Sequence, residues 1–181
     1  MKRALALALA FALPLLATSV LAQDAAPAPA AAPPLPCSAE EYRQFDFWVG
    51  QWQVKDANGS LQGTNRIDSI LGGCALQEHW EGGSGSIGES YNIYDRQTRK
   101  WHQTWVDNGG LLLQIQGGIT GNAMIMRGTG KARDGASVDH MITWTPLEDG
   151  RVKQHWQSSR DGGETWNDAF VGFYARVESA D

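Results

Sequence analysis

The sequence predicts an all-β fold, an antiparallel up-and-down β-barrel of about eight to ten strands. All 21 glycines lie at or after Gly50, and most stand in pairs or beside Asn or Asp, as in Asn58-Gly59 and Gly72-Gly73. Between these turn signals lie short runs in which large apolar and polar residues alternate, such as Trp101-His102-Gln103-Thr104-Trp105. Alternation with period two is typical of strands, and Asn-Gly pairs are typical of hairpin turns.

About ten strands fit the spacing of the turns. They are expected at roughly 52–57, 61–71, 75–81, 88–95, 99–107, 111–117, 123–130, 137–145, 152–159 and 169–177. Every connection is short enough for a hairpin, and closing such a meander into a barrel removes its exposed edges. A two-sheet sandwich is the alternative. Ahead of the strands, Ser38 to Gln44 predicts a short N-terminal helix, with Ser38 as N-cap and Glu41 completing a capping box.

Residues 1–22 have the features of a secretory signal peptide. Lys2-Arg3 precedes an apolar run, and Val20-Leu21-Ala22 provides the small residues of a cleavage site. We therefore expect cleavage near Ala22 and a periplasmic or secreted protein, with a retained membrane anchor as the alternative. Residues 23–36 are rich in Ala and Pro and are expected to be a disordered linker. Residues 37–181 then form a single β-barrel domain.

The chain contains two cysteines, Cys37 and Cys74. Behind a signal peptide this pair predicts one disulfide, because exported proteins mature in an oxidising compartment. Two free buried thiols are the alternative. The formal net charge is −5, and loss of Lys2 and Arg3 with the signal peptide changes it to −7. This acidic balance argues against nucleic acid and anionic membranes as partners.

The segment Phe45-Asp46-Phe47-Trp48-Val49-Gly50-Gln51-Trp52 opens the predicted domain. Each large aromatic side chain must bury about 150–250 Å² to contribute its full stabilisation, so the segment is not a solvated loop. We interpret it as a plug in which Phe45 and Trp48 close one end of the barrel. Trp52 begins the first strand after Gly50, and all four residues are assigned structural roles.

Period two sorts the strand residues into two faces, and several tryptophans share a face with a polar residue. If that face points inward, the interior is aromatic with a few polar points, which is typical of a small-molecule pocket. The predicted ligand-binding residues are Glu78, Trp80, Trp101, Gln103, Trp105, His140, Trp144, Gln154 and Trp156. A packed core whose polar groups bond to each other is the alternative.

The opposite face carries His79, His102 and His155, each on a separate strand. Because zinc needs three or four converging ligands, we predict a solvated outer face and no metal site. Glu78 and His140 are candidates for a buried acid–base pair, which makes an enzyme one alternative function. No cofactor is predicted, although a haem-binding barrel with His140 or His155 as axial ligand is a further alternative.

Ser159 to Trp166 has the spacing Ser-x-Asp-x-Gly-x-Thr-Trp. It resembles the Asp-box hairpin of sialidase-type propellers, in which the Asp accepts hydrogen bonds from backbone amides and the Trp packs beneath the turn. A single copy implies a stabilised hairpin, with Asp161 and Trp166 in structural roles.

The opening segment is similar to the start of an uncharacterised bacterial domain-of-unknown-function family with a lipocalin-like (calycin-type) barrel. Members continue with Leu-Gly-Gly-Cys, a Trp-rich strand and Asp-Gly-Gly-x-Thr-Trp, which match 71–74, 100–107 and 161–166 here. Gly50-Gln51-Trp52 also resembles the Gly-x-Trp of lipocalins, and this resemblance implies that Arg176 packs over Trp52. The family brings a fold and no catalytic residues.

These observations favour an exported lipocalin-like protein that binds a small apolar or amphipathic molecule in a Trp-lined cavity. The alternatives are an enzyme that uses the Glu/His pair and a haem-binding, nitrobindin-like barrel. A structural or protein-binding role would instead show an exposed aromatic patch and no cavity. The expected partner is a small molecule, with no nucleic acid and no stable membrane insertion after cleavage.

Overall fold

In a computed structural model, residues 36–177 are described, and they contain a closed antiparallel barrel of ten strands. The predicted fold class is confirmed. Each strand pairs with the next one in sequence, and the first strand also pairs with the last, which closes the barrel. The strands are β1 (Gly50–Lys55), β2 (Leu61–Ile70), β3 (Ala75–Gly82), β4 (Ile87–Asp95), β5 (Lys100–Asp107), β6 (Leu112–Thr120), β7 (Ala123–Lys131), β8 (Ser137–Pro146), β9 (Val152–Ser159) and β10 (Asn167–Arg176).

The predicted signal peptide, its cleavage site and nearly all of the predicted linker lie outside the described residues, so these remain predictions. Within residues 36–177, no helix has the length and apolar character needed to cross a membrane.

Between residues 36 and 177, three 3₁₀ helices accompany the strands, at Glu40–Arg43, Asp46–Trp48 and Leu71–Gly73. The predicted N-terminal helix is therefore present, but it begins later than expected, and its N-cap is Ala39 without a side-chain capping bond. The predicted capping box of Ser38 and Glu41 was wrong. The disulfide between Cys37 and Cys74 already fixes the chain just ahead of the helix, so a one-turn helix is positioned without a side-chain cap.

The opening aromatic segment fills one end of the barrel, which we call the closed end. Phe45 and Trp48 are completely buried and stack with ring centroids 4.9 Å apart. Trp144 of β8 lies 5.2 Å from Phe45 in an edge contact, and Trp101 of β5 lies 5.7 Å from it. Such aromatic contacts each add about 0.5–1.5 kcal/mol beyond their buried area. The plug therefore joins the N-terminal segment to β5 and β8.

Trp52 holds the first strand to this plug. Its indole Nε1 donates a 2.9 Å hydrogen bond to the carbonyl oxygen of Trp48. The guanidinium carbon of Arg176 lies 4.4 Å from the ring centroid of Trp52, and Arg176 Nη1 donates to the carbonyl of Val49 at 3.0 Å. Arg176 thus lies over Trp52, where the resemblance to lipocalins placed it.

The β9–β10 hairpin is held by hydrogen bonds to Asp161. One carboxylate oxygen accepts from the backbone N–H of Thr165 at 2.9 Å and from the hydroxyl of Ser159 at 2.7 Å. The bonds from Ser159 and Thr165 hold the pKa of Asp161 well below its usual range. Trp166 closes the turn by donating from Nε1 to the carbonyl of Gly163 at 3.1 Å. The sequence motif therefore forms a hairpin whose turn is held by hydrogen bonds from and to side chains.

Candidate functional site

A cavity of about 280 Å³ lies inside the barrel and opens at the end opposite the plug. Its volume is near the lower end of the range of about 300–1,000 Å³ that is usual for ligand pockets. Ser84 and Ser86 of the β3–β4 loop and Ala169 of β10 lie at the mouth. The upper walls are apolar and aromatic, and are formed by Trp80, Trp105, Leu113, Ile142, Trp156 and Phe170.

The floor of the cavity is polar, and Glu78 is at its centre. This side chain is only 4% exposed, although it lies on a strand that runs to the mouth. Asn65 Nδ2 of β2 donates to one carboxylate oxygen at 2.7 Å, and Ser90 Oγ of β4 donates to the other at 2.6 Å. Because β2 and β4 flank β3, the two bonds approach the carboxylate from both neighbouring strands.

The hydrogen bonds continue from Ser90 to Asn92 on the same strand and to Gln103 on β5. Asn92 Nδ2 donates to Ser90 Oγ at 3.0 Å, and Gln103 Nε2 donates to Asn92 Oδ1 at 2.9 Å. Ser90 and Asn92 are fully buried. From Gln103 to Ser90, each group donates toward Glu78, so the network ends on the carboxylate as its final acceptor. Networks of this kind position their members because an unmade bond in a buried site is costly.

Burial and hydrogen bonding act on Glu78 in opposite directions. Burial raises the pKa of the carboxyl to about 7, while the bonds from Ser90 and Asn65 oppose this rise. Across the floor, burial and the nearby charge of Glu78 raise the pKa of Tyr174 well above its usual value. The Tyr174 hydroxyl donates to Gln154 Oε1. At neutral pH the floor therefore holds a carboxyl group in both protonation states and a neutral phenol.

Two of the aromatic walls rest on glycines of the neighbouring strand. A Cβ on Gly88 would lie 2.2 Å from Cζ2 of Trp105, and a Cβ on Gly63 would lie 2.9 Å from Cη2 of Trp80. Both rings can therefore approach the neighbouring strand this closely only because these positions carry no side chain. Their indole nitrogens are also held, by Ser86 Oγ at 3.2 Å for Trp80 and by Asp107 Oδ2 at 3.4 Å for Trp105. These contacts restrict the positions of both rings.

His140 lies beside Trp156 rather than in the polar floor. Trp156 Nε1 donates to His140 Nδ1 at 3.1 Å, which leaves Nε2 to carry the proton of the neutral ring. Burial lowers the pKa of His140, and the charge of Asp139 opposes this effect. In residues 36–177 no hydrogen bond or ion pair joins His140 to Glu78. The two groups that the sequence suggested as an acid–base pair have separate partners.

The other three histidines lie on the outer face, each beside an acidic side chain. His79 has Asp68 and Glu89 at 3.7 and 3.5 Å, and His102 has Asp95 at 3.9 Å. His155 lies 2.6 Å from Asp168. In the part of the chain that the structure describes, no three His, Cys, Asp or Glu residues are grouped so that they could hold a metal ion.

The predicted site residues divide into those that line the cavity and those that do not. Six line it, namely Glu78, Trp80, Gln103, Trp105, Gln154 and Trp156. Trp101 and Trp144 do point inward, but they are buried against the plug at the closed end, and His140 contacts Trp156 without lining the cavity. Period two gives the face of a residue and not its depth along the barrel, so it cannot separate the two tryptophans from the others.

Sequence reasoning missed the polar partners Asn65, Ser90 and Asn92 and the cavity residues Phe170 and Tyr174. On β10 a signal was present, because Phe170, Gly172 and Tyr174 share one face with period two. On β4 the apolar residues Ile87, Tyr91 and Ile93 point outward and are 54%, 53% and 44% exposed. Gly88, Ser90 and Asn92 of the same strand face the interior instead, which reverses the usual pattern.

The fold and the cavity together define a closed β-barrel whose interior opens at one end and has a polar floor. Comparison with protein-family models and with curated proteins gives no match to this sequence.

Proposed function

We propose that this chain is an exported, lipocalin-like protein that binds a small apolar or amphipathic molecule inside its barrel. The observation that carries the proposal is the cavity, with aromatic walls, a polar floor and one open end. Pockets for small molecules are mostly apolar and contain a few well-placed polar groups. The resemblance of the opening segment to a lipocalin-like family is consistent with this function, and the disulfide is compatible with export.

The walls support binding because they are held in place without a ligand. Glycines beneath Trp80 and Trp105 and hydrogen bonds at their indole nitrogens restrict both rings. A pre-organised pocket loses less conformational entropy on binding, which favours affinity. A closely packed core would instead fill the space between these rings, as the plug does at the closed end.

The separate partners of Glu78 and His140 favour binding over the Glu/His enzyme. Glu78 is bonded to Asn65 and Ser90, whereas His140 is bonded to Trp156. An acid–base pair needs its two groups within reach of the same proton. For a haem ligand, His155 is on the outer face beside Asp168, and His140 uses Nδ1 for Trp156.

Native mass spectrometry of protein purified from its source cells tests the proposal. We expect a bound small molecule that is released when the protein is denatured. Ala169→Trp should block the mouth and remove this molecule, while Val171→Trp, on the same strand outside the cavity lining, should retain it. Equal occupancy in both variants, or a folded protein with no bound molecule and no affinity for amphipathic compounds, would contradict the proposal.

A further inference from the structure

We propose that the ligand carries a protonated amine on an apolar body, and that its ammonium group donates to Glu78. This inference rests on the proposed ligand-binding function and names the chemical class of the ligand. It follows from three properties of the cavity, which are its charge, the direction of its hydrogen bonds and the aromatic rings above the carboxyl.

The charge of the lining favours a cation. Among the described residues that line the cavity, Glu78 is the only acidic side chain, and no Lys or Arg accompanies it. The other titratable group of the floor, Tyr174, stays neutral at physiological pH, since its pKa is raised well above the usual value. An anionic ligand would meet Glu78 without a compensating charge, and buried like charges repel strongly.

The hydrogen-bond directions of the floor also favour a donor on the ligand. Glu78 has two acceptor oxygens with about four lone-pair sites, of which Asn65 and Ser90 use one on each oxygen. Gln103 uses Nε2 for Asn92 and Ser90, so the remaining polar atom of its amide, Oε1, is an acceptor. Of the two glutamines that line the described floor, Gln154 is the one whose amide nitrogen remains available as a donor, because its Oε1 accepts from Tyr174. Acceptors therefore predominate where the polar end of a ligand would lie.

The aromatic walls suit a cation that enters along the barrel axis. Trp80, Trp105 and Trp156 and the ring of Phe170 surround the space between the mouth and Glu78. Trp80 and Phe170 are already arranged edge to face, with centroids 5.9 Å apart. The faces of aromatic rings attract cations, and aromatic cages are a recurrent way to bind ammonium groups. The same walls would bury the apolar body of the ligand.

The burial of Glu78 is consistent with this assignment. A carboxyl whose pKa lies near 7 is costly to ionise in the empty cavity, and an ammonium group beside it would remove that cost. A neutral ligand would leave the unfavourable burial of the charge unchanged.

Isothermal titration calorimetry of the full chain with three compounds of nearly the same shape tests the inference. The compounds are naphthylmethylamine, naphthylmethanol and naphthoate, which are cationic, neutral and anionic near neutral pH. Because a hydrogen bond to a charged group contributes more than a neutral one, we expect the amine to bind about tenfold or more tighter than the alcohol, with naphthoate weakest.

Glu78→Gln should reduce this preference to less than about threefold, because the amide keeps the shape but not the charge. Glu81→Gln is the matched control, since Glu81 is on the same strand and exposed on the outer face. The comparison of the three compounds on the unaltered protein decides the question even if Glu78→Gln does not fold. Alcohol or naphthoate binding as tightly as the amine would overturn the inference and leave the proposed function standing. Absence of binding by all three would overturn both.

Discussion

Gly50 lies directly beneath the guanidinium group of Arg176. A Cβ at this position would be 2.4 Å from Arg176 Nη1, and the backbone of Gly50 has a φ of 144°, which side-chain-bearing residues rarely adopt. The stack of Arg176 on Trp52 therefore depends on a glycine two residues before the tryptophan. Because a methyl group would displace the exposed guanidinium from Trp52 and from the carbonyl of Val49, we expect Gly50→Ala to destabilise the protein by about 1–2 kcal/mol more than a glycine substitution that is strained in φ alone.

Gly59→Ala provides that comparison, because Gly59 also has a positive φ, 86°, but a methyl group there would have no neighbouring atom within 4 Å. Urea unfolding monitored by tryptophan fluorescence would measure both variants. Combining Gly50→Ala with Arg176→Ala should remove the part of the loss that comes from the clash. Equal losses for Gly50→Ala and Gly59→Ala would show that the guanidinium moves aside at little cost.

Trp52 is 1% exposed and bonded through Nε1 to the carbonyl of Trp48. We expect Trp52→Ala to lower the free energy of unfolding by about 3–5 kcal/mol, because it removes a large buried ring and leaves a cavity. Trp166 is only half-buried in the β9–β10 hairpin, so Trp166→Ala should lower the free energy of unfolding clearly less. Chemical denaturation followed by far-UV circular dichroism would compare the two, and unchanged stability of Trp52→Ala would contradict the role assigned to the plug.

The disulfide closes a loop with a sequence separation of 37 residues between Cys37 and Cys74. In the chain-entropy model, such a loop stabilises the folded state by about 4 kcal/mol, because it restricts the unfolded chain. The double variant Cys37→Ala/Cys74→Ala should therefore unfold at a lower urea concentration. The reduced wild-type protein is the control and should match it; a midpoint unaffected by reduction would argue against this contribution.

The buried carboxyl of Glu78 makes stability depend on pH. The pKa of Glu78 is about 7 in the folded protein, against 4.5 as the ordinary value, so between these pH values the folded state holds a proton that the unfolded chain has lost. The contribution of Glu78 to the free energy of unfolding is full below about pH 4.5. It falls by at most about 3 kcal/mol as the pH rises through 7.

Unfolding free energies of wild-type protein and Glu78→Gln, measured on the acidic and the alkaline side of this range, would test the effect. We expect the wild-type protein to lose stability relative to Glu78→Gln as the pH rises, while Glu81→Gln follows the wild-type protein. Parallel curves for wild-type protein and Glu78→Gln would show that the carboxyl titrates at its ordinary pKa. The comparison cancels the other titrating groups, including His140.

The architecture could be predicted because its signals are local. Turn chemistry recurs along the chain, and the strands between the turns alternate in character, so ten strands and their hairpin connections follow from neighbouring residues. The start of the first helix could not be predicted in this way. The position of that segment is set by Cys37 and its bond to Cys74, a contact between residues far apart in sequence.

The candidate site was predicted in part, for a related reason. Glu78, Gln103 and Gln154 could be found because each shares a face with a tryptophan. Ser90 and Asn92 could not, because they point inward, where they bond to Glu78 and Gln103, while Ile87, Tyr91 and Ile93 of the same strand lie outside. Hydrophobic alternation assumes an apolar interior, and it fails on the strand that builds a polar network.

The width of the cavity and the charge of its floor are set by different residues. The three atoms nearest to a Cβ on Gly88 all belong to Trp105, so a methyl group there would push this indole toward the centre of the barrel. A Cβ on Gly63 would first meet the carbonyl oxygen of Glu81, at 2.3 Å, and would disturb the pairing of β2 with β3. A substitution at Gly88 can thus narrow the cavity from behind its wall, while Glu78 and its hydrogen bonds to Asn65 and Ser90 remain as they are. The width of the cavity at Trp105 and the charge of its floor depend on different residues, and each can change without the other.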